Sequence, residues 1–305
     1  MRTSMYVNSV FEQPWWLDVV APNAWKEILV KDKDGKVIAR QAIVFDKKNI
    51  FIPKLTQTLG IWMDDSVSND YGTMKKICKE LCQQLSEYKN VVVHLTPNNK
   101  YVLPFIWEGY QISPRFTYRI LDLSDTEGLY QGFNNTAKKN IKSAKNKVMI
   151  SDKMDVDELW SMIIKTYKIQ NRKPPISKEL IERMVYECEA HNCGKYLCAK
   201  DKEGNVHSCA YFVYDENVCY YLLGATDSQY RSSGAQSLVI WEGIQFAAKH
   251  SKIFDFEGSM VEGIENFFRQ FNNECVAYYE IRKQSFYKEL FRLVKPRIKR
   301  IIGYK

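Results

Sequence analysis

Apolar positions recur with a period of two in several short runs of this chain and with a helical period in others. Residues 31–46 (KDKDGKVIARQAIVFD) set a charged glycine turn before an alternating strand, the pattern of a β-hairpin. A strand over 50–62 and a helix over about 72–88 follow, and in that helix Met74, Ile77, Cys78, Leu81, Cys82, Leu85 and Tyr88 make one apolar stripe. Next come a short strand (VVVHL, 91–95), a helical region ending near Gly109 and a strand over 115–123. Three further helices are predicted: about 135–147, capped by Asn134 or Asn135; 156–170 after Asp155; and 178–190 after the breaker RKPPIS. The rest of the chain reads as a hairpin from residue 200, a strand at 218–225, a helix at 234–249, a strand at 253–257, a helix at 263–271 and a strand at 276–283.

The order hairpin, strand, helix, strand, helix, strand therefore occurs twice. The segments 31–46 and 200–215 (KDKEGNVHSCAYFVYD) share seven of sixteen residues, and Val91/Ile253, Phe105/Phe267 and Phe116/Tyr278 keep a constant offset of 162. A duplicated unit is expected, with a seam near LDLSDTE (121–127).

Composition bounds the class. With 45% hydrophobic and 13% aromatic residues the chain can build a packed core, which disordered sequences cannot. No apolar run approaches the ~20 residues of a membrane span. The opening MRTSMYVNSVFEQPWW lacks the layout of a secretion signal, and eight cysteines are too dilute for a disulfide scaffold. A soluble cytoplasmic protein is expected. The net charge of +8 is local: 138–147 holds five lysines and no acid, and 285–305 holds seven basic residues against Glu289, leaving the remainder slightly acidic. Such runs suit an anionic partner (phosphates, tRNA or a lipid surface) or are simply solvated helix faces. Cys188, His191, Cys193 and Cys198 cluster without a zinc-knuckle spacing, and no H-E-x-x-H or G-x-S-x-G occurs, so no metal and no serine hydrolase is expected.

The stretches NNTAKKNIKSAK (134–145), YKIQNRKPPIS (167–177), GATDSQYRSSGAQSLVIWEGIQFA (224–247) and FDFEGSMVEGIENFFRQFN (254–272), with PKLTQTLGIW (53–62), give the chain a likeness to known proteins. It resembles two tandem GNAT-type acyltransferase folds, and its second half is similar to FemAB-like proteins. The resemblance implies an α/β fold of two GNAT-like domains, 1–124 and 125–305, with mixed sheets flanked by helices and a cleft between the halves. It implies acyl or aminoacyl transfer to an amine, familiarly in peptidoglycan or lipid modification, with acyl-CoA or aminoacyl-tRNA as co-substrate and no permanently bound cofactor. The chain departs from the family pattern twice. It has no long charged heptad arm of the kind seen in tRNA-using FemAB enzymes, and Gln236 stands where the phosphate loop R/Q-x-x-G-x-G/A ends in a small residue.

Candidate residues follow. Arg231, Ser233, Gly234, Ala235 and Gln236 open a helix, where free N–H groups and the helix dipole favour a donor phosphate; the alternative is an ordinary turn capped by Ser233. The matching turn of the first half holds Asp64, Asp65 and Asp70, which would repel an anion. Lys138, Lys139 and Lys142 share one helix face and could hold a phosphorylated acceptor, with Gln170 and Arg172 on a substrate-facing loop before the double proline; solvated surface explains them equally. Asp255 and Glu257 alternate with Phe254 and Phe256, so a strand would put both carboxylates on one face. Glu257 is the candidate base for the amine proton, and Asp255 a structural residue that caps the next helix or pairs with Arg269. No tyrosine stands in that helix as general acid, and Tyr278 and Tyr279 read as strand packing. The basic amphipathic tail could touch a membrane or dock on its own domain. Three functions stay open: an acyl-CoA N-acyltransferase, an aminoacyl-tRNA-dependent transferase, and a non-catalytic ligand-binding GNAT scaffold.

Overall fold

The computed structural model describes residues 3–67, 69–169, 171–258 and 260–284. In chain order the elements are α1 (Pro14–Val20), β1 (Trp25–Lys31), β2 (Val37–Asp46), β3 (Asn49–Phe51), β4 (Ile61–Met63), α2 (Tyr71–Leu85), β5 (Asn90–His94), α3 (Leu103–Trp107), β6 (Gln111–Ile120), α4 (Thr126–Gly132) and α5 (Asn135–Lys145). They continue with β7 (Met149–Ser151), α6 (Val156–Ile169), α7 (Lys178–Ala190), β8 (Gly194–Lys200), β9 (Val206–Tyr214), β10 (Val218–Thr226), α8 (Ala235–Ala247), β11 (Ile253–Asp255), α9 (Glu262–Phe268) and β12 (Glu274–Lys283).

Residues group into two compact units that interleave along the sequence. The larger gathers Ser9–Val20 and Arg115–Ala277; the smaller gathers Ser4–Asn8, Ala21–Pro114 and the chain from Tyr278. The sequence seam at 124/125 runs through the larger unit, and β6 and β12 each divide between the two.

In the larger unit β7, β8, β9 and β10 form an antiparallel run, β11 pairs parallel with β10, and the end of β6 pairs antiparallel with β11. Alternation along β9 sorts its side chains between two layers. Ala210 and Phe212 join a core with α5 and α8, whereas Tyr211 reaches Cys188 of α7 on the other face. The cap predicted for α5 forms at Asn134, which accepts from the Ala137 N–H; Asp155 likewise accepts from the Glu158 N–H ahead of α6 and Ser177 from that of Leu180 ahead of α7. α1 inserts Trp15, Trp16 and Leu17 into this unit, and Trp15 stacks on His191 at 4.4 Å.

In the smaller unit β1 and β2 form the first hairpin, β3 and β4 share the other edge of β2, and β5 joins β3 in parallel. The C-terminal part of β12 completes the sheet against β5. α2 lays its apolar stripe on this sheet, capped by Asp70 through the N–H groups of Gly72 and Thr73. The two predicted hairpin turns have the same geometry: the Asp32 N–H donates to the Lys36 carbonyl as the Asp201 N–H does to that of Asn205.

Two expected strands end early. The run 50–62 breaks into β3 and β4, because residues 52–60 leave the sheet at Pro53, which has no N–H to give a ladder. Thr56, Gln57, Thr58 and Leu59 are buried there without regular structure. The Gln57 carbonyl lies 3.1 Å from His94 Nδ1, and Asn99 bonds both the N–H and the carbonyl of Ile61 in place of a strand partner. The run 253–257 stops at Asp255 because Glu257 and Gly258 turn to φ of +59° and +62°.

Glu280 ties the smaller unit's last strand to β5. His94 Nε2 lies 3.2 Å from its Oε2 and Arg282 Nη2 2.6 Å from its Oε1. Burial works to raise its pKa, but the bonds from His94 and Arg282 prevail and hold the carboxyl at about 2. The stability this contributes is complete above the ordinary value of 4.5 and is lost as pH falls toward 2. Glu280→Gln is therefore expected to cost about 1–3 kcal/mol at neutral pH in urea unfolding, with the difference from the parent shrinking in acid.

Candidate active site

β10 and β11 run parallel, with Tyr220 level with Asp255. β11 ends there in the FDFEGS corner, whereas β10 continues in the same direction to Thr226 and the turn into α8.

At the corner Asp255 is fully buried. Arg119 Nε, in register across β6, donates to its Oδ2 at 2.6 Å, and Thr117 Oγ1 donates to its Oδ1 at 2.5 Å. The Glu257 N–H donates to the same Oδ1 at 2.7 Å, so Asp255 fixes the backbone that carries the second carboxylate. Asp255 therefore has the structural role expected of it, through Arg119 and Thr117; Arg269 instead pairs with Glu265 in α9, and Val261 gives α9 no side-chain cap. Gly258 follows at positive φ because a Cβ there would stand 2.4 Å from the Phe116 carbonyl oxygen. Together with the bond from the Phe256 N–H to the Tyr118 carbonyl, this presses the corner onto β6.

Glu257 is left in an unusual state. It holds a left-handed conformation that costs a non-glycine residue about 1–3 kcal/mol. Its Oε1 is sealed from solvent and has no hydrogen-bond partner among the described residues. Burial, and then the nearby Asp255 charge, push its pKa well above the ordinary carboxylate value. A carboxyl whose proton affinity is raised in this way is a candidate general acid or base.

Level with this corner β10 carries a bulge. Tyr221 pairs with Phe212 and Leu223 with Tyr211, so Leu222 is the extra residue, two positions past the partner of Asp255. Bulges free main-chain groups from the ladder.

The turn into α8 is a 3-10 segment, Ser228–Ser233, anchored by Asp227, which accepts from Lys165 Nζ at 2.8 Å and from the Gln229 N–H. Tyr230 stacks flat on His207 at 3.9 Å. Arg231 is exposed on this turn, while Ser233, Gly234 and Ala235 are buried. Ser233 Oγ accepts from the Ala235 N–H, and Gln236 hydrogen-bonds the buried Tyr221 phenol, whose pKa burial raises to about 12. Gly234 has a φ of +81°, and a Cβ on it would lie 2.3 Å from the carbonyl oxygen of Asn140 in α5. Its lack of a side chain thus serves the packing of α5 against the start of α8.

On α5, Lys138 Nζ donates to the Gln131 carbonyl, whereas Lys139 and Lys142 are exposed and, like Arg231, without an ion-pair partner among the described residues. Arg172 is exposed after α6, and Gln170 lies outside the described residues, as does the tail from residue 285. Asn140 lies against Gly234, so the lysine helix and the Arg231 turn are neighbours, whereas Arg172 is held at the end of α6 by the bond from its N–H to the Tyr167 carbonyl. Arg119 and Thr117 were missed from sequence; the available signal was a basic residue in the predicted strand 115–123, able to neutralise a buried acid on a neighbouring strand. Among the described residues no group of three or more His, Cys, Asp or Glu is placed to hold a metal ion, and no helix is long and apolar enough to cross a membrane.

Residues 133–269, which span β10, α8 and the corner, match the family model of the Acetyltransferase (GNAT) domain. By that match this segment is a GNAT-type acetyltransferase domain. The fold is α/β, a mixed sheet flanked by helices. The structure is similar to FemX, with a TM-score of 0.68 at 12% identity over 93% of this chain and 94% of that one. It is also similar to L-PGS from Bacillus licheniformis (TM-score 0.55, 10% identity, 88% of each chain). A tandem GNAT protein from the clavulanic acid biosynthesis pathway gives a TM-score of 0.54 at 8% identity, over 85% of this chain and 82% of that one. No curated protein matches the sequence.

Two outcomes test this geometry. Glu257 binds its proton more tightly folded than unfolded, so the stability it contributes is full below pH 4.5 and drains as pH rises toward its raised value. Glu257→Gln is expected to flatten the decline of melting temperature as pH rises above 4.5. Gly234→Ala is expected to lower stability by at least about 1–3 kcal/mol in denaturant titration, through positive φ and the clash with Asn140.

Proposed function

We propose that the protein is an N-acyltransferase in which Glu257 accepts the proton of an amine that attacks an acyl-CoA-type thioester. The observation that carries this reading is the buried, partnerless Oε1 of Glu257 at the C-terminal edge of a GNAT sheet. The amine nitrogen forms the new bond to the acyl carbon, its proton passes to Glu257, and the carbon–sulfur bond breaks to release the thiolate. Main-chain N–H groups freed at the Leu222 bulge would stabilise the oxyanion that forms on the way. Arg231 and the N–H groups beginning at Gln236 would meet the donor phosphates, and Lys139 and Lys142 the acceptor or the far end of the donor.

A second reading takes its donor from aminoacyl-tRNA. Two observations favour it: Gly234 is spent on Asn140, and Gln236 on Tyr221, at the very turn where a GNAT phosphate loop leaves room for a diphosphate. The exposed Lys139, Lys142 and Arg231 would then track a nucleic-acid backbone. FemX shares this fold. Lys138, Gln170 and Arg172 remain acceptor-side candidates under either reading.

With a panel of acyl-CoA thioesters and primary amines, Glu257→Gln is expected to lower kcat by roughly 10²–10⁴-fold and to abolish the pH dependence of the acidic limb, where the base is lost by protonation. Coenzyme A should raise the melting temperature of the parent and not of Arg231→Ala. Binding of tRNA with a steep salt dependence, and no response to coenzyme A, would select the second donor. An unchanged rate in Glu257→Gln would overturn the assignment of the base.

A further inference from the structure

An apolar surface of the smaller unit plays no part in the reading above. α3 turns Pro104 and Phe105 into the core and leaves Leu103, Ile106 and Trp107 outward, at 48, 48 and 58% exposure. Tyr71, at the start of α2, is 64% exposed and meets Tyr101 edge-on at 4.9 Å. One turn along α2, Lys75 Nζ lies over the Trp107 ring at 5.0 Å; Lys79 follows a turn later, and Lys100 is exposed just ahead of α3. The nearby acids offset part of this charge: Asp70 is engaged in capping α2, Glu108 is half-buried, and Glu80, exposed on α2, is outnumbered there by the exposed Lys75, Lys76 and Lys79.

The chain leaves the described structure at the same place. Lys283, near the end of β12, donates to the Glu108 carbonyl at 3.0 Å and lies 5.0 Å over the Tyr110 ring, immediately after α3. The tail 285–305 that follows has seven basic residues, one acid, and Phe286, Leu290, Phe291, Val294, Ile298 and Ile301.

Three occupants could cover the patch. Folding back the tail would set a segment of strong positive charge on a lysine rim. A second copy joined by a two-fold axis would set the same rim against itself. An anionic bilayer faces neither repulsion: its headgroup zone takes Trp, Tyr and aliphatic side chains, and its phosphates take the lysines. Charge complementarity therefore selects the lipid. We propose that this α3 surface docks the protein on an anionic membrane, with Leu103, Ile106 and Trp107 entering the headgroup zone and Lys75, Lys79 and Lys100 resting on its phosphates.

The test uses the full chain and sedimentation with vesicles of phosphatidylcholine alone or mixed with phosphatidylglycerol. The parent is expected to bind only the mixed vesicles and to be released as salt rises from roughly 0.1 to 1 M. Leu103→Ser/Ile106→Ser/Trp107→Ser, which keeps the tail, should lose about tenfold or more in partitioning. Lys75→Gln/Lys79→Gln/Lys100→Gln keeps the apolar groups and should also weaken binding, which guards against a folding defect in the first variant. The altered residues are all solvent-facing, so melting temperatures should stay near that of the parent. Undiminished binding by both variants would assign the contact to the tail alone and overturn the proposal. So would the absence of binding by the parent, or a dimer in gel filtration that the first variant dissociates.

Discussion

The site rests on how one buried charge is neutralised. Asp255 sits at the end of a central strand with no access to water, a placement that costs several kcal/mol for an unpaired carboxylate. Arg119 supplies the countercharge and Thr117 a second donor, and the remaining capacity of Oδ1 is filled by the Glu257 N–H. That last bond ends the strand and sets the left-handed turn that Gly258 then allows against β6. Two carboxylates lie two residues apart, and the protein gives every strong partner to the first. The second is left to be stabilised as the neutral acid. The same arrangement that makes Asp255 an inert tie raises the proton affinity of Glu257.

This inequality depends on the long-range topology. Arg119 is 136 residues from Asp255 in sequence and comes on a strand that begins in the other compact unit. The smaller unit is closed in the corresponding way, by the end of β12 pairing with β5, where Glu280 meets His94 across 186 residues. In each case a short, buried inner strand (β11 or β5) is flanked by a parallel neighbour from its own run and an antiparallel one from far away, and an ion pair or charged contact marks the second junction. The smaller unit needs a separate stretch of chain, from Tyr278, to complete its sheet, and in the larger unit the strand that closes the sheet pairs with one more than a hundred residues away. Folding of the corner is therefore tied to folding of the distant strand that neutralises it, which confines the ionisable pair to the fully assembled sheet.

Much of this was legible because local rules and tertiary packing agree. The apolar stripe of α2, the cap at Asn134, and the matching turns at Asp32 and Asp201 all needed only nearby residues. Periodicity failed where a contact from elsewhere displaced it. Alternation in FDFEGS predicts a strand through Glu257, but Thr117 and Arg119 draw the carboxylate of Asp255 to β6 and the backbone turns. Residues 52–60 read as strand because they are apolar and threonine-rich, yet Pro53 withholds a donor and Asn99 takes the place of a partner strand. The choice of Glu257 rested on its position, whereas its raised proton affinity depends on burial and on Asp255, which no spacing reveals.

The turn into α8 shows why a motif can be present while its chemistry is open. A helix N-terminus binds phosphate when its first N–H groups are unoccupied and the backbone can be approached closely. Here the approach is made by the carbonyl of Asn140, one N–H is met by Ser233, and the side chain at the sixth position is turned to Tyr221. What remains accessible is cationic side chain, on Arg231, Lys139 and Lys142. Backbone amides recognise a diphosphate by shape, whereas long basic side chains recognise phosphate by charge and tolerate many geometries. A thioester donor calls on the first kind of contact and a nucleic-acid donor on the second, so the balance between them at this one turn bears directly on which activated acyl carrier the protein would use.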